Sequence, residues 1–245
     1  MLRSIILVIA AILYLILTLP VLLIISLIGI RNPDLRDRIA AAMIRWIFRV
    51  LLALAGTKIH VAGQERIPHD TPVLYIGNHR SIFDIVATYN YVYGNTGYVA
   101  KKTLGRIPVF RFWEKYIGCL FLDRSNPKSG MQMIRSSIER IKSGHSIFIF
   151  PEGTRSKQEN DYPTLDFHEG SFRIATSAGC PIVPVSINHT ADIFEKHMPF
   201  VRSAHITIEF GEPIPTKGIS RVEKKALGAS IQTIINETLK KNYEK

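Results

Sequence analysis

The chain has 245 residues, 47% of them apolar and 21% charged, with 31 basic against 20 acidic side chains and a formal net charge of +11. This excludes a disordered or collagen-like protein, because a chain so apolar can bury a core, and its 16 glycines and 13 prolines are ordinary usage. Cys119 and Cys180 are the two cysteines, which excludes a disulfide framework or cysteine-rich metal site and points to free thiols in a reducing, cytosolic setting.

No charge occurs between Arg3 and Arg31, and nineteen of the 27 intervening residues are Ile, Leu or Val. As one helix, Ser4 to Ile30 reaches about 40 Å, more than a hydrocarbon core of about 30 Å. The stretch is too long for a cleaved signal peptide. Pro20 removes a backbone donor midway, so a kinked span and a re-entrant hairpin are both compatible with the sequence. Asp34 to Ala55 reads as a second helix. Its Arg38, Arg45 and Arg49 fall within about 40° of one another, opposite Ile39, Met43, Trp46, Ile47, Val50 and Leu54. That pattern suits a helix in the headgroup region with its arginines toward anionic lipid; packing on the protein's own core is the alternative.

From Lys58 onward, short apolar runs alternate with helical stretches. Strands are predicted at Lys58–Val61, Val73–Ile76, Tyr98–Ala100, Cys119–Leu122, Ser146–Phe150, Ile182–Ile187 and His205–Phe210. Helices are predicted near Ser81–Tyr91, Ser129–Ser143, Ser171–Ala178 and Val222–Tyr243. The alternation predicts an α/β domain over residues 58–245, with a mostly parallel sheet and flanking helices, preceded by membrane-anchoring helices over residues 1–57.

Residues 1–58 carry 7 basic and 2 acidic groups, residues 101–142 carry 10 and 3, and residues 143–245 carry 12 of each. No stretch resembles a recognition helix, a zinc finger or an aromatic stacking platform, and Gly94-Asn95-Thr96-Gly97 is a bare G-x-x-G, so no nucleic-acid partner is expected. Anionic lipid or a phosphorylated substrate accounts for both basic stretches.

Four stretches lie at or beside predicted strand ends, where open α/β sheets place ligands. Gly77-Asn78-His79-Arg80-Ser81-Ile82-Phe83-Asp84 carries a His and an Asp five positions apart. The pair meets only if His79 lies in a turn and Asp84 in the helix that follows, and then the carboxylate fixes the imidazole tautomer. The second stretch is the basic run opening with Lys101-Lys102-Thr103-Leu104, followed by Gly118-Cys119-Leu120-Phe121-Leu122-Asp123-Arg124. The third, Phe150-Pro151-Glu152-Gly153-Thr154-Arg155-Ser156, presents a carboxylate and a guanidinium on one turn. The fourth is the proline-bearing strand Cys180-Pro181-Ile182-Val183-Pro184-Val185. Taken singly, each also reads as loop punctuation or solvated charge. His168-Glu169 lacks a second histidine at zincin spacing, so no metal is expected.

In this order the four stretches resemble the glycerolipid acyltransferases, and within them the 1-acyl-sn-glycerol-3-phosphate (lysophosphatidate) acyltransferase family, with its N-H-x-x-x-x-D, K-K-x-L, hydrophobic-D-R, F-P-E-G-T-R-S and V-P-V blocks. The resemblance spans nearly the whole chain and implies an α/β domain joined to an N-terminal two-helix membrane motif. It implies transfer of an acyl chain from an acyl thioester to the free 2-hydroxyl of 1-acyl-sn-glycerol 3-phosphate, giving phosphatidic acid in phospholipid biosynthesis. The donor is acyl-CoA or acyl carrier protein, a co-substrate, with no further cofactor. The implied partners are the lysophospholipid acceptor, the acyl thioester and membrane lipids. The implied location is the inner (cytoplasmic) membrane, with the catalytic domain on the cytosolic side.

In that scheme His79 is the base and Asp84 its partner. Glu152, Gly153 and Thr154 belong to the acceptor site, and Arg124, Arg155 and one of Lys101 or Lys102 contact phosphate. Backbone N–H groups near the His79 turn are expected to steady the oxyanion. Two alternatives stand beside it: the same family with another acceptor, such as a lyso-aminolipid or glycerol 3-phosphate, and a non-catalytic membrane lipid-binding protein. The last leaves no reason for His79, Asp84 and Glu152 to coexist. Two positions depart from the family pattern: Arg111, where many relatives have glycine, and His168, where they have lysine.

Overall fold

The computed structural model describes residues 1–102, 108–123 and 125–244. The uncharged N-terminal stretch forms two helices, α1 (Leu2–Leu17) and α2 (Leu19–Arg31), bent by 47°. The break has a local cause. Pro20 sits in the first turn of α2, where its missing N–H is no loss, and the Thr18 hydroxyl donates to the Tyr14 carbonyl at 2.6 Å. Among the described residues no single helix is long and apolar enough to cross a membrane, although the bent pair together is. Its outer face exposes Ile5, Val8, Ile9, Ile12, Leu23 and Leu27.

Helix α3 (Pro33–Ala55) is capped by Asn32, whose side chain accepts from the Leu35 N–H at 3.0 Å, and ends at Gly56 with φ 72°. It folds back along α1 and α2 as a hairpin, with Arg36 beside Gly29 and Arg3 beside Gly56. Ala40, Ala41, Ile44, Ile47, Leu52 and Ala55 are buried. Two of the arginines expected to face headgroups also contact the α/β domain. Arg45 Nη2 donates to the Gly94 carbonyl at 2.6 Å, and Arg49 Nε donates to Asn90 Oδ1 at 3.2 Å. The polar stripe of α3 meets carbonyls of a loop in the α/β domain that strand pairing leaves free, and a guanidinium satisfies them.

The α/β domain has seven strands: β1 (Lys58–Ala62), β2 (Leu74–Gly77), β3 (Gly97–Lys101), β4 (Leu120–Leu122), β5 (Ile147–Ile149), β6 (Ile182–Asn188) and β7 (His205–Phe210). Their spatial order is β1-β7-β6-β2-β5-β3-β4, parallel throughout except for the β6–β7 pair. The helices are α4 (Phe83–Thr88), α5 (Pro108–Tyr116), α6 (Pro127–Lys142), α7 (Gly170–Ala178) and α8 (Arg221–Tyr243). All seven predicted strands are present, α4 is shorter than expected, and α5 was not expected.

Strand alternation divides the core into two clusters. Tyr75, Phe148 and Val183 face α1 to α5, while Leu74, Ile76, Ile147 and Ile149 face α6, α7 and α8. On the first face Tyr98 and Phe148 stack with centroids 4.8 Å apart, and each such ring contributes roughly 1.5–3 kcal/mol by burial. The adjacent strands β2 and β5 send their next helices to opposite faces: α4 joins the first cluster and α7 the second. That divergence opens a crevice beyond their C-terminal ends.

Candidate active site

The β2 exit carries the first functional turn into this crevice. Asn78 replaces a strand residue: its amide donates to the Ile187 carbonyl and accepts from the Ile187 N–H, each at 2.9 Å, so the end of β2 is stitched to β6. The next residue, His79, directs Nδ1–H to Asp84 Oδ2 at 2.8 Å. Asp84 is fully buried. The same Oδ2 accepts from the N–H groups of Arg80 at 2.7 Å and Ser81 at 2.8 Å, and Oδ1 accepts from the Thr190 hydroxyl. Convergence of four donors is what a buried carboxylate needs to remain charged without water. With Nδ1–H engaged, the lone pair is on Nε2. The ring is held flat against Phe150, with centroids 4.2 Å apart and planes 17° apart.

The β5 exit supplies the second turn. Glu152 is buried; its Oε1 accepts from the His79 N–H at 2.6 Å and its Oε2 from the Leu165 N–H at 3.0 Å. Burial pushes its carboxyl from 4.5 up to about 7, against the pull of those two bonds. Through these two bonds Glu152 holds the His79 turn, and each of its oxygens keeps a further lone pair. Gly153 has φ 67°, which favours glycine, and a Cβ there would crowd the exposed His168 ring at 3.0 Å from Cδ2 and Nε2. Thr154 and Arg155 are exposed at the mouth, and the Ser156 N–H ties the turn back to the His79 carbonyl at 2.8 Å.

An acyltransferase family model matches residues 58–188, from the start of β1 to the end of β6. The chain belongs to the acyltransferase family. It is 31% identical to the 1-acyl-sn-glycerol-3-phosphate acyltransferase of Borreliella burgdorferi, over 82% of this chain and 80% of that one. It is also 31% identical to the protein of that name from Haemophilus influenzae, over 87% and 85% respectively. The fold matches a solved 1-acyl-sn-glycerophosphate acyltransferase of Thermotoga maritima with a TM-score of 0.85 at 24% identity, covering 100% of this chain and 96% of the other.

Within this acyltransferase the structure brings His79, Asp84, Glu152, Gly153, Thr154 and Arg155 together on the two turns. Lys101 and Lys102 stand at the end of β3, across β5 from His79. Lys102 pairs with Asp123 at 3.5 Å and lines a separate hollow of about 500 Å³ with Arg111, Ser129 and Gln132. Arg124, together with Thr103 and Leu104 of the K-K-x-L block, lies outside the described residues. Four amides of the His79 turn, where oxyanion donors were expected nearby, are engaged: the N–H groups of residues 79, 80, 81 and 82 donate to Glu152, Asp84, Asp84 and Glu195.

Sequence reading missed four contributors. Thr190 and Glu195 come from the connection after β6, brought in by the pairing of β6 with β2. Arg80 is buried, pairs with Asp161 at 3.6 Å and donates to the carbonyls of Asn160 and Glu159. Asp161 in turn accepts from the His189 N–H at 2.9 Å. A charged residue directly after the candidate base, just beyond the apolar end of β2, was the available signal for Arg80; nothing in the spacing marks the other three.

Proposed function

We propose that this acyltransferase moves an acyl chain from an acyl thioester, acyl-CoA or acyl carrier protein, to the free 2-hydroxyl of 1-acyl-sn-glycerol 3-phosphate, yielding phosphatidic acid. The observation that carries the reading is the 2.8 Å contact between His79 Nδ1 and Asp84, which leaves Nε2 to accept a proton. Nε2 takes the proton of the acceptor hydroxyl as its oxygen attacks the thioester carbonyl. The C–S bond breaks as the C–O bond becomes an ester, and the imidazolium returns the proton to the departing thiolate. The lipid's hydroxyl occupies the place a serine holds in a hydrolase, so no covalent acyl-enzyme intervenes. Arg155, Arg124 and Lys101 or Lys102 are assigned to the acceptor phosphate, and Gly153 and Thr154 to the acceptor site beside it. No cofactor beyond the thioester is required.

Residues 1–57 are assigned to anchoring at the inner membrane and residues 58–245 to catalysis on its cytosolic side. A bilayer-resident acceptor suits a protein whose α1 and α2 turn apolar side chains outward. The test is acylation of lysophosphatidate by purified protein, with each thioester donor in turn, for wild type and His79→Ala. Thioester-dependent phosphatidate from the wild type and none from a folded variant is expected. No product from the wild type with either donor, or an unimpaired variant, refutes the reading.

A further inference from the structure

Arg155 has five N–H donors on its guanidinium, and among the described residues only Nη1 is engaged, with Glu195 Oε1 at 2.8 Å. Its side chain is 49% exposed, whereas that of Glu195 is 17% exposed. The carboxylate is thus the fixed partner. It accepts from the Ser81 hydroxyl through Oε2 and from the Ile82 N–H through Oε1 at 2.9 Å. Those two donors lie on the turn that joins His79 to α4. Glu195 itself follows β6 in a short helical turn, Glu195–His197, downstream of Thr190. One carboxylate therefore grips the guanidinium by a single nitrogen and ties it to the turn bearing the catalytic pair, leaving Nε and Nη2 open to a ligand.

We propose that Glu195 is a positioning residue for the acceptor: it sets the place and orientation of the Arg155 guanidinium, so that its open edge receives the acceptor's phosphate at a fixed distance from His79. The inference rests on the acyl-transfer reading and adds a specificity element to the same site. A phosphate can form two parallel bonds to the open Nε–Nη2 edge, a geometry that a freely rotating arginine presents only part of the time. Glu195 therefore acts on acceptor affinity through Arg155, while the His79–Asp84 pair, with its own donors, stays in place.

The experiment is steady-state acylation of lysophosphatidate by the full chain, comparing Glu195→Ala, Glu195→Gln, Arg155→Ala and the Glu195→Ala/Arg155→Ala double variant, with Tm measured for each. Glutamine keeps an oxygen for Arg155 and Ile82, and its amide can donate to the Ser81 hydroxyl. The expected results are an acceptor KM raised about tenfold in Glu195→Ala, the size of one charge-assisted bond, a smaller rise in Glu195→Gln, and kcat within about threefold of wild type. The double variant is expected to match Arg155→Ala alone, because the second change removes a group whose target is gone.

An unchanged KM in Glu195→Ala overturns the proposal. A lowered KM overturns it too, since Glu195 would then be competing with phosphate for Arg155. So does a fall in kcat at constant KM, or a KM effect in the double variant that exceeds Arg155→Ala. An inactive wild type instead refutes the acyl-transfer reading itself, and the two failures are therefore distinct.

Discussion

Replacing Asp84 with Asn tests the catalytic pair most sharply, because the four donors around it decide what the variant can do. The amide oxygen in place of Oδ2 still accepts from His79 Nδ1, Arg80 N–H and Ser81 N–H, and the amide nitrogen in place of Oδ1 donates to the Thr190 hydroxyl, which can reverse its role. The turn and the imidazole tautomer therefore survive, and Tm is expected to change little. What disappears is the charge facing the imidazolium that forms as Nε2 takes the acceptor's proton. For charge centres about 4 Å apart at an effective dielectric of about 20, that attraction is worth about 4 kcal/mol. The amide dipole restores part of it, so kcat is expected to fall by roughly 10² to 10³, at about 1.4 kcal/mol per tenfold. A kcat within threefold of wild type, with an unshifted pH–rate profile and a folded variant, refutes the role given to Asp84.

Thr190→Val keeps the shape but strips a donor from a fully buried oxygen; a loss of about 1–3 kcal/mol is expected in denaturant melts, and an unchanged midpoint speaks against this contact. Gly153→Ala adds a left-handed penalty of about 1–2 kcal/mol to a clash with His168, so His168→Ala in the same chain should relieve part of the Tm loss; no relief means the crowding is not real. Burial raises the Glu152 carboxyl from 4.5 to about 7, so the folded protein binds this proton more tightly than the unfolded chain does. Its contribution is full at low pH and is lost as pH rises through that window, about 3 kcal/mol in all. Denaturant melts should therefore show the wild type losing about 2.5 kcal/mol relative to Glu152→Gln between pH 5 and pH 8, and parallel pH profiles contradict it. Ile9→Glu with Leu23→Glu places charges on the outward face of α1 and α2 at roughly 3 kcal/mol each if those positions enter hydrocarbon; co-sedimentation with vesicles should be lost, and persistence at the wild-type level removes that face from the anchor.

The strands were legible because β-branched runs such as Ile182–Ile187 are buried on both faces and bounded by turn residues. Helix α5 was not, since its nine residues give too short a window for the helical spacing of Val109, Trp113 and Tyr116 to stand out within a basic run. The antiparallel direction of β7 leaves no trace in composition. The spacing of His79 and Asp84 allows them to meet only across a turn, and it was the family resemblance of the four stretches together that singled them out as a pair. Thr190 lies 106 residues from Asp84, and Glu195 lies 113 from Ile82; only the adjacency of β6 and β2 brings them in. For Arg45 and Arg49 the helical face was legible but the bonds to Gly94 and Asn90 were not, because a stripe of arginines looks the same against phosphates as against loop oxygens.

Three acids from separate parts of the chain hold one turn of four residues. Asp84 reaches it from α4, Glu152 from the exit of β5 and Glu195 from beyond β6, and between them they accept from every amide from 79 to 82. None of these bonds follows from local propensity, and two of the three acids can arrive only after β2, β5 and β6 lie side by side. The turn is thus a product of tertiary structure: Glu152 and Asp84 hold the amides of residues 79–81 and set the direction of the His79 ring, while Glu195 meets the far end at the Ser81 hydroxyl and the Ile82 N–H. A substitution that loosens the register of those strands should consequently cost activity at a ΔΔG too small to unfold the domain, because a shift of about 1 Å at a reacting group is worth far more in rate than in stability. In the proposed acyl transfer, donors to the developing oxyanion would have to be other than these four amides, which are already committed to Glu152, Asp84 and Glu195.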